Sequence, residues 1–290
     1  MQVSILSRFI FILLCAILIW APIPLGSNRA WAWGILQLLI GGTFALHLLH
    51  CWNTSTALLT GRKFWLPLTP MLLLLVWLTL QSLQFLPSAD AYQTAVMASK
   101  TLFFLLWCFL VLNYCTNHQR LRLLAIAIVI SGALQAFYGV VVQLAHFDAS
   151  PIIGMSEGNR ARGSFVYQNH FANYLALSLS VAIGLLLSQL SSERTQRSWH
   201  QLFRDMLKTL LSAKMMLRLA MILMVIGLVM SRSRMGNAAF FTALISVAVL
   251  AMWFYRRPPA LLKPLVISIL LLDMVLVSSM FGLDKLQQRY

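Results

Sequence analysis

The stretch Arg160-Ala161-Arg162-Gly163-Ser164-Phe165-Val166-Tyr167-Gln168-Asn169-His170-Phe171-Ala172-Asn173-Tyr174-Leu175-Ala176-Leu177-Ser178-Leu179 decides how the chain is to be read. It opens as a basic loop carrying a glycine and continues as the first turns of an apolar helix. Two arginines, the Asn169-His170 pair and a further amide at Asn173 thus gather where water would meet lipid. Charges and amides are costly at that depth unless they are used. A segment that only had to cross a bilayer would have no need of them.

Working outward, the rest of the chain supplies the bilayer. It has 290 residues, 60% hydrophobic and 10% charged, with a mean hydropathy of +0.81. Soluble domains carry about 25% charged residues. Apolar runs near the length of a membrane span recur from end to end. In lipid the backbone must pair within the segment or within a closed barrel. The runs are continuously apolar and do not alternate, which selects helices. The expected fold is therefore all-α: a polytopic membrane helix bundle with about nine transmembrane helices and one interfacial amphipathic helix, forming a single membrane domain over 1–290.

The spans are expected at 1–25 (apolar core 9–21), 31–52, 64–86, 92–112, 121–144, 170–190, 215–230, 235–255 and 265–282. The first reads as an uncleaved helix, with a cleaved signal as the alternative, and either puts the N-terminus inside. Seven prolines, Pro67 and Pro70 among them, are expected at span boundaries, where a missing N–H costs little. Between the sixth and seventh spans, 193–214 forms the amphipathic segment. Trp199, Leu202, Phe203 and Met206 recur at helical spacing, and Arg204 and Lys208 take the opposite face. A basic amphipathic helix of this kind lies on the inner leaflet.

Lys and Arg orient the bundle. With the N-terminus inside, 14 of the 22 fall in inner segments, seven in outer segments, and Lys100 within a helix. That bias fits a cytoplasmic N-terminus. The net charge of +15 belongs to the ends of apolar runs, so its partners are lipid headgroups and not nucleic acid. Four of the seven outer cations form two tight pairs, Arg160/Arg162 and Arg232/Arg234. Guanidinium forks match phosphate oxygens bidentately, so the two pairs can converge on one diphosphate; ordinary headgroup binding is the alternative. Lys100 is expected to pair with Asp273 across the fourth and ninth spans. Cys15, Cys51, Cys108 and Cys115 read as packing residues. The short His47, His50 and Cys51 cluster does not define a metal site, and neither metal nor cofactor is expected.

At this point the residues resemble a known family. The run from Arg160 to Leu175 is similar to the signature R-x-x-G-[TS]-F-x-N-x-N-H-F-A-x-Y-L of the O-antigen ligase and polymerase-like membrane glycosyltransferases. Ser231-Arg232-Ser233-Arg234-Met235-Gly236 resembles that family's second motif, T/S-x-S-R-x-G. The two occur in the family's order, and the resemblance covers about residue 72 onward. Tyr167 stands where many members have Asn, with Gln168 beside it, and Arg162 is additional to the pattern. Arg160 and Arg234 are the better matches.

The resemblance implies metal-independent glycosyl transfer in the bacterial inner membrane, in lipopolysaccharide or polysaccharide biosynthesis. The donor would be a glycan on undecaprenyl diphosphate. The acceptor would be a hydroxyl of lipid A core, of another glycan or of a protein, so that ligase, polymerase and protein O-glycosylase stay open. Arg160, Arg162, Asn169, Arg232 and Arg234 would bind substrate. His170 is the candidate catalytic residue, although its place at a helix start suits orientation better than proton abstraction. Members continue into a large periplasmic loop that carries a base. Residues 283–290 resemble its beginning, so the chain is expected to be the N-terminal part of such a protein. Whether it acts alone as an enzyme stays open. A lipid-linked sugar transporter or flippase, which would hold the same diphosphate, and a non-catalytic membrane subunit are the competing classes.

Overall fold

The computed structural model describes residues 5–55, 65–152, 154, 158–188 and 213–254. Among the described residues there are eight α-helices and no strand. They are α1 (Ile5–Trp20), α2 (Ala30–Thr54), α3 (Trp65–Ser82), α4 (Ala91–Tyr114), α5 (His118–Leu144), α6 (Gln168–Ser188), α7 (Ala213–Met230) and α8 (Arg234–Phe254), with a short 3-10 turn at Leu25–Ser27. These helices coincide with the first eight expected spans to within a few residues. The ninth span, the amphipathic segment 193–214 and the tail 283–290 lie outside the described residues.

Among the described residues, four helices, α2, α4, α5 and α6, are long and apolar enough to cross a membrane, while α1, α3 and α7 offer shorter apolar stretches. Large side chains in mid-helix face outward, among them Leu38 at 77% and Leu177 at 61% exposure. A water-soluble chain rarely leaves contiguous apolar surface of this kind. The helices are those of a multi-pass membrane protein.

Polar residues begin and end the helices. Asp90 caps α4 by accepting the Gln93 N–H at 3.0 Å, and Asn117 does the same for α5 with the Arg120 N–H at 2.7 Å, each meeting one orphan donor of a first turn. Pro70 departs from expectation: it lies inside α3 and not at its boundary. Ring closure removes its N–H, so the ladder loses the bond to the carbonyl one turn back, at Leu66. Leu66 is exposed.

The helices divide into two compact units, Met1–Ala21 with Ser27–Leu124, and Pro22–Gly26 with Ala125–Tyr290. In the first, Ile17 of α1 packs with Trp33, Leu36 and Ile40 of α2. Ile10 and Leu14, nearer the start of α1, pack with Leu110 and Tyr114 at the end of α4. So α2 and α4 run in the same direction, and α1 runs against them. At the end where α1 starts and α4 finishes, Arg120 donates to the Tyr114 carbonyl at 3.0 Å and to Ser7 Oγ at 3.0 Å. Its guanidinium also lies over the Phe11 ring. His47 is buried there with Nδ1 3.0 Å from the Tyr114 hydroxyl and Nε2 3.7 Å from Cys51 Sγ, a packed cluster of rings.

Lys100 sits in α4 with Nζ 5.5 Å from the centre of the Trp33 ring. The aromatic face supplies electrostatic compensation inside the span. Its expected partner Asp273 lies outside the described residues. One turn of polar contact accompanies it, Gln37 Nε2 donating to Ser99 Oγ at 2.7 Å.

In the second unit α6 packs antiparallel to both α5 and α7, around Phe171, Leu175, Leu179, Met224 and Leu228, all fully buried. Small residues set the spacing. A Cβ on Gly227 of α7 would meet Leu175 at 3.1 Å and Ala136 at 3.2 Å. Helix α8 runs alongside α6 in the same direction, its Gly236 against Ala172. The starts of α6 and α8 and the finish of α7 therefore share one end.

Candidate functional site

That shared end holds both arginine motifs. The loop before α6 is fixed by three contacts that its sequence prepares. Ala161, fully buried, donates its backbone N–H to the Met230 carbonyl at 3.0 Å. The next turn closes with Phe165 N–H on the Arg162 carbonyl at 3.0 Å. It needs Gly163 at φ +57, a left-handed conformation in which a Cβ would lie 2.8 Å from the Phe171 ring and 2.9 Å from Gln135 Oε1. Only glycine tolerates both demands. Ser164 is 3% exposed. Its N–H donates to Gln135 Oε1 at 3.0 Å, and its Oγ donates to the Pro22 carbonyl at 2.6 Å and lies 2.9 Å from the same Gln135 oxygen. Phe165 then packs on Tyr174 and Phe171.

The turn from α7 into α8 is three residues long and built on serines. Ser231 Oγ donates to the Leu228 carbonyl at 2.6 Å and accepts the Ser233 N–H at 3.2 Å. Ser233 Oγ accepts the Gly236 N–H at 3.1 Å, which makes Ser233 the N-cap of α8. Arg232 between them takes φ +50, the reversal that aims α8 back along α6.

The structure brings the two arginine pairs together through their backbones. Ala161 lies between Arg160 and Arg162, and Met230 precedes Ser231 and Arg232. Arg160, Arg232 and Arg234 are exposed, and Arg162 is half-buried. Asn169 and His170 are exposed in the first turn of α6, where the His170 ring stands edge-on to Tyr167 at 5.8 Å. Two helix N-termini and the backbones of all four arginines thus share one end. Orphan N–H groups and the positive end of each helix dipole favour an anion there. No group of three or more His, Cys, Asp or Glu that could hold a metal occurs among the described residues.

Three contributors escaped the sequence reading: Gln135, Ser164 and Ser233. Gln135 had a visible signal, being an amide in the middle of an apolar run. The serines had one too, in their spacing around the arginines. A further amide, Asn237, lies one turn into α8 with its Oδ1 buried and without a hydrogen-bond partner.

No family model matches this chain, and no curated protein or solved structure matches it either.

Proposed function

We propose that this end of the second unit binds the diphosphate of a lipid-linked glycan and that the chain serves glycosyl transfer from it. The observation that carries the reading is the bond from Ala161 N–H to the Met230 carbonyl at 3.0 Å. It ties the Arg160/Arg162 loop to the Arg232/Arg234 turn, so four guanidiniums can address one dianionic group. The two motifs that resemble the O-antigen ligase and polymerase-like family are the two segments so joined.

The chemistry suits the residues. An acceptor hydroxyl attacks the anomeric carbon, a C–O bond forms, and the bond to the lipid diphosphate breaks. Negative charge accumulates on the departing diphosphate. Guanidiniums already in place stabilise that charge more in the transition state than in the ground state, and arginine does so without losing a proton at any working pH. The hydroxyl proton passes to a base. His170, exposed at the start of α6, is the candidate from this chain, either as that base or as the group orienting the acceptor. The donor is a glycan on undecaprenyl diphosphate. The acceptor is a hydroxyl of lipid A core, glycan or protein. The setting is a bacterial inner membrane spanned nine times, with the N-terminus in the cytoplasm and the arginine end facing the periplasm.

The test is binding of undecaprenyl diphosphate to purified protein in nanodiscs, followed by glycan transfer from a labelled lipid-linked donor. Binding should exceed that of undecaprenyl monophosphate and fall at least about tenfold in Arg160→Ala and Arg234→Ala, the loss of one charge-assisted contact. Equal binding of mono- and diphosphate, or arginine variants that bind as the parent does, would overturn the reading.

A further inference from the structure

We infer that Gln135, on α5, is the positioning residue of the anion site: its amide oxygen latches the arginine loop in the one conformation that presents Arg160 and Arg162 beside the α7–α8 turn. The inference rests on the diphosphate reading for its functional consequence, although the latch itself is independent of any ligand.

Gln135 is 4% exposed, within a helix long and apolar enough to cross a membrane. An amide in that setting must be satisfied by the protein. It is satisfied by the loop. Oε1 accepts the Ser164 N–H at 3.0 Å and stands 2.9 Å from Ser164 Oγ. The same oxygen lies 2.9 Å from where a Cβ on Gly163 would be, so it also leaves room for glycine alone at that residue. One turn further along α5, Gly139 lets the loop backbone down onto the helix, a Cβ there meeting Gly163 N at 2.9 Å.

The loop is therefore held on both sides of Arg162. Ala161 is bonded to Met230 on one side, and Ser164 is bonded to Gln135 and Pro22 on the other. Only two residues, Arg162 and Gly163, separate the two anchors. Removing the Gln135 acceptor strands a buried N–H in the loop, which then recovers a partner only by moving outward. Arginine forks are geometrically demanding, so such movement reduces their fit to a diphosphate without removing a charge.

Gln135→Met keeps the size and removes the acceptor, and Gln135→Glu keeps an oxygen at the same reach. Hydrogen exchange in nanodiscs reads the latch directly. Gln135→Met should speed exchange across 160–165 while the core of α6 stays protected, and Gln135→Glu should restore the protection. Binding of undecaprenyl diphosphate to Gln135→Met should fall about tenfold, the worth of one such contact, with the same dependence on salt as the parent, since no cation is lost. Unchanged exchange over 160–165 overturns the latch. Faster exchange with undiminished binding overturns the positioning role, as does a loss of binding that comes only with a general loss of protection in α6. If the parent protein binds undecaprenyl diphosphate no better than Arg160→Ala and Arg234→Ala do, the diphosphate reading fails, and the exchange data show whether the latch stands without it.

Discussion

Gly236 and Ala172 meet with no room for another atom: a Cβ on Gly236 would lie 2.5 Å from the Cβ of Ala172. Both atoms are fixed to backbone, so no rotamer change relieves the overlap. Gly236→Ala must push α8 away from α6, at a cost of about 1–3 kcal/mol. A lower melting temperature in detergent checks this. Gly184→Ala on α6, where nothing lies within 4 Å, should be neutral or gain up to about 1 kcal/mol from helix propensity.

Arg160→Lys and Arg234→Lys keep the charge and lose the fork. Each should weaken undecaprenyl diphosphate binding by about 1.5–3 kcal/mol. Arg122→Lys, exposed near the start of α5 and thus at its far end from Gln135, should leave binding within about twofold. A titration across the three variants reads the contrast. Equal losses at all three positions would point to general attraction for anionic lipid.

Reporter fusions test the direction of the bundle. The excess of inner cations and the alternating helix directions within each unit call for fusions after Arg62, Gly158 and Lys208 to read cytoplasm, periplasm, cytoplasm. A cytoplasmic signal at Gly158 would put the arginine end on the wrong side for a periplasmic donor.

Cys115 follows the last residue of α4. Burial, with Cys15 beside it, pushes its thiol up to about 11 against a smaller opposing effect of Arg120. The thiolate is the nucleophile, so maleimide labelling of Cys115 at pH 8 should be slow and should keep rising with pH through pH 10. Labelling that levels off by pH 9 would show an ordinary thiol. Arg120→Ala should raise the pKa further and slow labelling at a given pH.

Helix positions were legible because lipid leaves the chain few options. Long apolar runs can satisfy their backbones only as helices, and α2 through α8 begin and end close to where those runs do. Pro70 was misjudged because an early helix turn with a missing bond looks, in sequence, like a boundary. The site was legible in part. Arg160 and Arg234 stand out as charges at the ends of apolar runs, but their junction depends on one bond between Ala161 and Met230, which no local pattern encodes. The neighbour of Lys100 was hidden for the same reason. Trp33 reaches it only because α2 and α4 lie side by side, and pairing of helices depends on packing at long sequence separation. Gln135 looked like a lone amide until the loop it holds was in view.

The three-residue turn between Met230 and Arg234 also bears on how the protein enters the membrane. So short a link, with Ser231 and Ser233 bonded into both helix ends, leaves no slack for α7 to settle before α8 follows. The two helices must partition from the insertion machinery as one hairpin. With the arginine end outside, as proposed, Arg232 and Arg234 have to cross with its tip, and an arginine left at the centre of a span costs about 2.5–3.5 kcal/mol on insertion scales. The apolar flanks of α7 and α8 must outweigh that together. Charge added to either flank should therefore appear first as a defect in biogenesis, with the hairpin stranded on the near side, before any effect on the finished site is seen.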